Sequence, residues 1–187
     1  MSICPPRQLY MCSAWYACRT RGRSEKKVRQ LLQSLGVESY LPLVERTREW
    51  SDRSKQVEFP LFPGYVFARF ELTRLQDILH TPGLVEVVRV NGYPTPVREE
   101  ELESVRSLLQ GTRDAGVEPV SHEYLARGQE VEVVVGPFQG LSGLLVEMRG
   151  TTRVVVRLSA IQLAVSVELN PRSIRPRGIE SQALRQR

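Results

Sequence analysis

Three cysteines and two histidines are the whole supply of thiol and imidazole ligands in the 187-residue sequence. Cys4, Cys12 and Cys18 are odd in number and contain no C-x-x-C, so neither a disulfide framework nor a zinc knuckle is supported. His80 and His122 leave little material for a metal centre, and no metal or other cofactor is expected. The chain has no G-x-S-x-G, no H-E-x-x-H, no P-loop and no dinucleotide fingerprint. His80 sits beside Thr81 at the end of a short apolar stretch and reads as a surface or capping residue. Glu99, Glu100, Glu101 and Glu103 are crowded, but at a helix start they read as a solvated first turn that suits the dipole. No nucleophile has a plausible base, so catalysis is not expected.

The basic and aromatic residues carry more information. Arg19, Arg21, Arg23, Lys26, Lys27 and Arg29 face only Glu25 across eleven residues. They fall in a strand-to-helix loop and on the first helical turns, where cations oppose the dipole. Helix stability therefore does not explain them; an anionic partner does, although a solvated face is the blander alternative. Contacts from such residues to phosphates give affinity without reading bases. Arg46, Arg48, Arg53 and Lys55, with Trp50 among them, form a second group in a long hairpin. They fit either a nucleic-acid contact or a mobile, soluble loop. The run Phe59–Phe67 is too apolar for a surface strand, and its two prolines forbid a regular central one. It reads as a kinked strand feeding the core. The sharper alternative is an exposed apolar patch, carrying Trp15, Tyr16, Phe62 and Tyr65, that receives another protein's helix.

The elements that must position these residues alternate in the first half. Ser13–Arg19 suits a strand. Ser24 offers an N-cap, Val28, Leu31, Leu32 and Leu35 make a helical stripe, and Gly36 stops it. Val37–Leu43 and Gly64–Phe70 read as strands, Leu75, Ile78 and Leu79 as a short helix ended by Pro82-Gly83, and Leu84–Val90 as another strand. Glu99–Gln110 reads as a closing helix with Leu102, Val105, Leu108 and Leu109 on one face. The order β-α-β-β-α-β plus a helix predicts an α+β domain with an antiparallel sheet backed by helices. Residues 111–123 read as an exposed linker. Beyond it, Val131, Val133 and Val135, then Val154, Val156 and Leu158, then Leu163, Val165, Val167 and Leu169 alternate with period two. Glycine-rich turns between the runs predict a small all-β barrel of about five strands. The expected layout is a domain over 10–110, a linker over 111–123, a barrel over 124–177 and a polar tail over 178–187. Hydrophobic residues make up 41% and charged residues 25%, with net charge +5, an ordinary globular balance leaning toward anionic partners. No window approaches the roughly 18 apolar residues of a membrane span, so a soluble, cytoplasmic monomer is expected.

Trp15-Tyr16, then Phe62-Pro63-Gly64-Tyr65-Val66, then Val85–Val97 with Pro94-Thr95-Pro96, resemble the NusG N-terminal (NGN) domain. Gly128, Val131, Val133, Gly136, Pro137, Phe138, Gly140 and Gly143 are spaced as in a KOW motif. The resemblance covers about residues 12–176. It implies a ferredoxin-like NGN domain followed by an SH3-like KOW barrel, in a non-enzymatic transcription elongation and antitermination factor. By this resemblance, Trp15, Tyr16, Phe62, Pro63, Gly64 and Tyr65 form or support a site for the clamp helices of the RNA polymerase β′ subunit, with a bridge toward β. Arg19, Arg21, Arg23 and Lys26 face non-template or upstream DNA, as do Thr81 and Pro82.

The resemblance also implies that the KOW barrel contacts Rho or a small-subunit ribosomal protein. The loop Ser159–Ala164 is longer than in housekeeping NusG and lacks its aromatic, leaving Ile161 as the nearest contact candidate. Arg19–Lys27, Leu41-Pro42-Leu43, Trp50–Arg53 and Pro60–Phe67 look like the specialised UpxY/RfaH-type paralogues, which antiterminate particular long operons. Some of these store the C-terminal module as a helical hairpin, but here the valine alternation argues for a barrel at rest. Two alternatives stand beside this one: a housekeeping NusG-type factor, and a KOW-type RNA- or ribosome-binding protein that never engages polymerase.

Overall fold

The computed structural model describes residues 12–50, 53–123, 128–148 and 151–177. Cys4, residues 10–11 of the first expected domain, Ser51, Asp52 and the tail 178–187 lie outside the described residues. The chain divides into two compact units between Glu99 and Glu100.

The first unit opens with β1 (Ala14–Thr20), α1 (Glu25–Ser34) and β2 (Glu38–Tyr40). A ribbon of β3 (Leu43–Trp50) and β4 (Arg53–Pro60) follows, then β5 (Tyr65–Phe70), α2 (Leu75–Leu79) and β6 (Leu84–Val87). Short strands β7 (Arg89–Val90), β8 (Tyr93–Pro94) and β9 (Pro96–Val97) complete it. The main sheet runs β2-β5-β1-β6, with β9 also on β1, and all its pairings are antiparallel. Setting the ribbon aside, this is a β-α-β-β-α-β chain whose first strand sits centrally, the arrangement a split β-α-β produces.

Successive side chains of a strand point to opposite faces, so β1 divides its residues between two sides. Tyr16 and Cys18, with Val66, Ala68 and Phe70 of β5, pack against Val28 and Leu32 of α1 and Ile78 of α2. Fully burying each of those aliphatic side chains contributes roughly 1.5–3 kcal/mol. The helical stripe is narrower than its spacing predicts: Leu31 is half-buried and Leu35 is 46% exposed. Gly36 does end α1 as expected. It sits at φ 69°, its N–H donates to Gln33 O, and the Val37 N–H donates to Leu32 O, a Schellman closure. Ser24 occupies the N-cap position, but its side chain makes no capping hydrogen bond.

The second unit holds α3 (Glu99–Ala115, of which Glu99 belongs to the first unit) and β10 (Val120–Glu123). Then come β11 (Gln129–Val133), β12 (Ser142–Met148), β13 (Thr151–Leu158), β14 (Leu163–Glu168) and β15 (Ile174–Pro176). They form one six-stranded antiparallel sheet in the order β10-β14-β13-β12-β11-β15. Val131, Val133, Val154, Val156, Leu158, Val165 and Val167 are buried as their alternation predicts. Val135 breaks phase, lying past the end of β11 and 57% exposed. The opposite face carries its own apolar cluster of Leu144, Val155 and Ala164. Past the end of β15, the Arg177 N–H donates to Glu130 O of β11.

The expected linker is the clearest difference. Residues 111–115 continue α3, and Val120–Glu123 pairs with β14. Gly111 and Thr112 are buried, so the glycine that reads as a break is a point of close packing instead. The helix expected to close the first domain belongs, from Glu100 onward, with the second unit.

Burial pushes the Cys18 thiol up to about 12 from its usual 9.0. The unfolded chain therefore releases this proton first, and stability falls as pH rises from about 9 toward 12. A thiol reagent at pH 8 should label exposed Cys12 in the folded protein and reach Cys18 only on unfolding, as peptide mapping would show.

Candidate docking face and basic loops

The face of the first sheet away from α1 and α2 is built by the other phase of β1 and β5. Register sets Trp15 opposite Arg69, Ala17 opposite Phe67 and Arg19 opposite Tyr65. On the far side of β5, Tyr40 lies opposite Phe67 and Glu38 opposite Arg69. Phe67 centres an aromatic set, with Phe62 edge-on at 6.3 Å and Tyr40 tilted at 6.4 Å between ring centroids. The Trp15 indole N–H donates to Glu99 Oε1 at 3.3 Å, and Arg69 Nη1 lies 3.8 Å from Glu38 and 3.9 Å from Glu99 carboxylate oxygens.

Phe62-Pro63-Gly64-Tyr65 is a tight turn closed by the Tyr65 N–H donating to Phe62 O. Proline at its second position and Gly64 at φ 84° in its third are the type II pattern, which glycine alone adopts without strain. The Gly64 N–H donates to Glu25 Oε1 at 2.8 Å, and Gly64 O accepts from the Thr20 N–H at 2.7 Å. Glu25, 5% exposed, thus ties the first turn of α1 to the aromatic turn. Sequence reasoning passes over Glu25 because it looks like a lone acid in a basic run. The available signal is a carboxylate in the first turn of a helix otherwise flanked by cations.

These positions correct the expected patch. Tyr16 belongs to the opposite phase and is fully buried against the helices, its ring 4.8 Å from Phe70. Burial, with Cys12 nearby as the lesser cause, raises its phenol above the ordinary value. Trp15 and Phe62 are 3% and 1% exposed, so they back the turn rather than form an open patch. Gly64 and Tyr65 are half-buried, and Pro63 is exposed.

Arg19, Arg21, Arg23 and Lys26 are all exposed. Arg19 pairs with Glu86 at 2.9 Å and Lys26 with Glu58 at 3.0 Å. The Arg21 N–H donates to Gly83 O, which joins the loop after β1 to the loop after α2 and brings Pro82 to the same end of the sheet. Thr81 does not share that surface: it is 4% exposed, its N–H bonded to Ile78 O and its O to the Leu84 N–H, so the turn draws it inward.

In the second unit Gly136 (φ 91°) and Gly140 (φ 86°) shape the loop between β11 and β12, held by the Gly140 N–H to Val133 O. Gly143 allows close strand approach, since a Cβ there would meet Val155 O at 2.7 Å; at Gly128 one would meet Leu145 O at 2.9 Å. Val131 and Phe138 are buried, and Pro137 is exposed. A Cβ on Gly111 of α3 would fall 2.3 Å from the Phe138 ring, and the Ser159 hydroxyl donates to Glu101 at 2.7 Å. The helix therefore packs at the Phe138 and Ser159 turns. Ile161, the expected contact residue, is correspondingly 8% exposed and not an open surface residue. Among the described residues no cluster of three or more His, Cys, Asp or Glu is placed to hold a metal, and no helix is long and apolar enough to cross a membrane.

Glu25→Ala should destabilise the protein by about 1–3 kcal/mol in urea unfolding, because it leaves the Gly64 N–H without its acceptor. Glu25→Gln keeps an acceptor and should lose less.

The family profile described as "Transcription termination factor nusG" matches residues 13–106, half of the chain. The chain is 28% identical over 152 residues to the transcription termination/antitermination protein NusG of Borreliella burgdorferi, covering 72% of this chain and 82% of that one. It is 25% identical over 182 residues to the protein of the same description from Thermus thermophilus, covering 86% and 97%. Among solved structures, "Domain interaction in Thermotoga maritima NusG" aligns at 23% identity and a TM-score of 0.48, over 90% of this chain and 99% of that one.

Proposed function

The chain belongs to the NusG family, and from that premise we propose that it is a non-enzymatic factor that binds transcribing RNA polymerase and promotes elongation and antitermination. The first unit docks on the clamp helices of β′ and reaches toward β. The observation that carries this reading is the turn on the face of the first sheet opposite α1 and α2. There exposed Pro63 and half-buried Tyr65 sit on a turn backed by Phe62, Phe67, Tyr40 and Trp15. A rigid turn on an aromatic bed suits a helical partner, because little side-chain entropy remains to be lost on docking. Tyr16 serves this surface only from behind, through the core.

Arg19, Arg21, Arg23 and Pro82 share one end of the same sheet, where the arginines can meet non-template or upstream DNA through phosphate contacts. The second unit, with its KOW-type glycines, recruits Rho or a small-subunit ribosomal protein. The Leu41-Pro42-Leu43 and Pro60–Phe67 phrases favour an operon-specific, UpxY/RfaH-type role. The relatives matched are described as transcription termination/antitermination proteins NusG, a name that favours the housekeeping alternative. Dependence of pause suppression on one DNA element separates the two.

Tyr65→Ala should weaken binding to purified core polymerase by about 1–3 kcal/mol, as truncation of an aromatic anchor does, and Phe62→Ala, which removes the ring behind the turn, should weaken it as well. Arg21→Ala should leave docking near wild type and reduce pause suppression on a defined template. Wild-type polymerase affinity in both aromatic variants, with folding verified by circular dichroism, overturns the docking assignment.

A further inference from the structure

The start of β1 and the end of β5 meet at one end of the first sheet, where Ala14 lies opposite Phe70. Antiparallel pairing brings the beginning of β2 to the same place, with Glu38 opposite Arg69. The helix α1 finishes there too: Arg74 Nη2 donates to the O of Leu35, its C-cap residue, at 2.9 Å. Between these elements a cleft of about 420 Å³ opens to solvent. Clefts that hold small molecules run from about 300 to 1,000 Å³. Arg21 and Gly83 lie beyond the other end of β1, so the cleft is separate from the basic loops.

Two arginines and two glutamates line it, Arg69 and Arg74 with Glu38 and Glu71. Neither pair satisfies the other. Arg69 Nη1 lies 3.8 Å from Glu38 and 3.9 Å from Glu99 carboxylate oxygens, beyond hydrogen-bonding distance. Its donor fork is therefore open. Arg74 spends one of its five donors on Leu35 O. Glu71 accepts from the Thr73 hydroxyl through Oε2, at 3.3 Å, which leaves Oε1 for another donor. A simple anion would suit the guanidinium groups and be repelled by the carboxylates, and a simple cation would meet the reverse. A ligand that carries both signs close together satisfies the whole set.

We propose that this cleft binds a small zwitterion, a free α-amino acid, with its carboxylate on Arg69 and Arg74 and its ammonium on Glu38 and Glu71. Planar guanidinium groups hold a carboxylate through paired N–H donors, which gives direction as well as strength. Phe70, 2% exposed, supplies apolar wall beside these charges for the side chain of the ligand. Gly36 leaves the neighbouring wall without a side chain. A peptide carries the same two charges at opposite termini and does not present both from one carbon.

The test uses the full chain without polymerase, so its outcome is independent of the docking proposal. Isothermal titration calorimetry with each of the common amino acids should show saturable binding for at least one. The amide and the N-acetyl derivative of that amino acid, each lacking one charge, should bind about tenfold more weakly or worse. Arg69→Gln should lower the affinity about tenfold, and Glu71→Gln by a similar factor. Glu71 is exposed, so its variant guards against a folding defect in the first. Glu132→Gln, on an exposed strand position of the second unit, should leave the affinity unchanged. Saturable binding by no amino acid up to its solubility limit overturns the proposal, as does wild-type affinity in both Arg69→Gln and Glu71→Gln. Equal binding of the amide overturns the carboxylate contact. A dipeptide that binds more tightly than either of its amino acids overturns the choice of a free amino acid.

Discussion

Because β1 is hydrogen-bonded along both edges, each of its side chains must take one of two faces, and the rest of the first unit follows from that division. Tyr16 and Cys18 commit to the helices, and α1 and α2 are held by what those residues offer. Trp15, Ala17 and Arg19 are committed by the same alternation to the other side, with Phe67 and Tyr65 set beside them by register. A shift of one residue in the β1–β5 pairing would exchange the two sets and put arginine into the core. The core and the opposite face are thus two readings of one strand.

The turn at Phe62–Tyr65 joins that strand logic to the helix. Its glycine supplies the left-handed backbone, its proline fixes the preceding residue, and Glu25 holds its free N–H from the first turn of α1. Three features that look unrelated in the sequence form one mechanical unit: a proline-glycine pair, an aromatic pair and an isolated acid. The neighbouring Arg21–Gly83 bond then adds the loop after α2 to the same end.

Much of this was legible in the sequence, for physical reasons. Gly36 announces the end of α1 because a left-handed residue is needed there, and the valine phases of β11, β13 and β14 announce burial because strands alternate. Other features could not be read locally. The α3 stripe says that Leu102, Val105 and Leu108 need a partner but not which residues supply it. Gly111 reads as a linker residue because glycine has two uses, freedom and close approach, and only the nearby Phe138 ring tells them apart. Thr81 reads as polar and exposed, yet its main-chain bonds fold it inward. Tyr16 follows Trp15 in the sequence, but a strand puts neighbours on opposite sides.

The rim of the second sheet has one further consequence. With the Arg177 N–H directed to β11, strand alternation places the nitrogen of Pro176 on the outward edge of β15. Proline has no hydrogen to give there, so the border is missing a donor where another chain would begin to pair. Arg175 adds charge beside it, and the strand is only three residues long. A terminal strand of this kind caps its own sheet, discouraging stacking of copies end to end while costing the interior nothing.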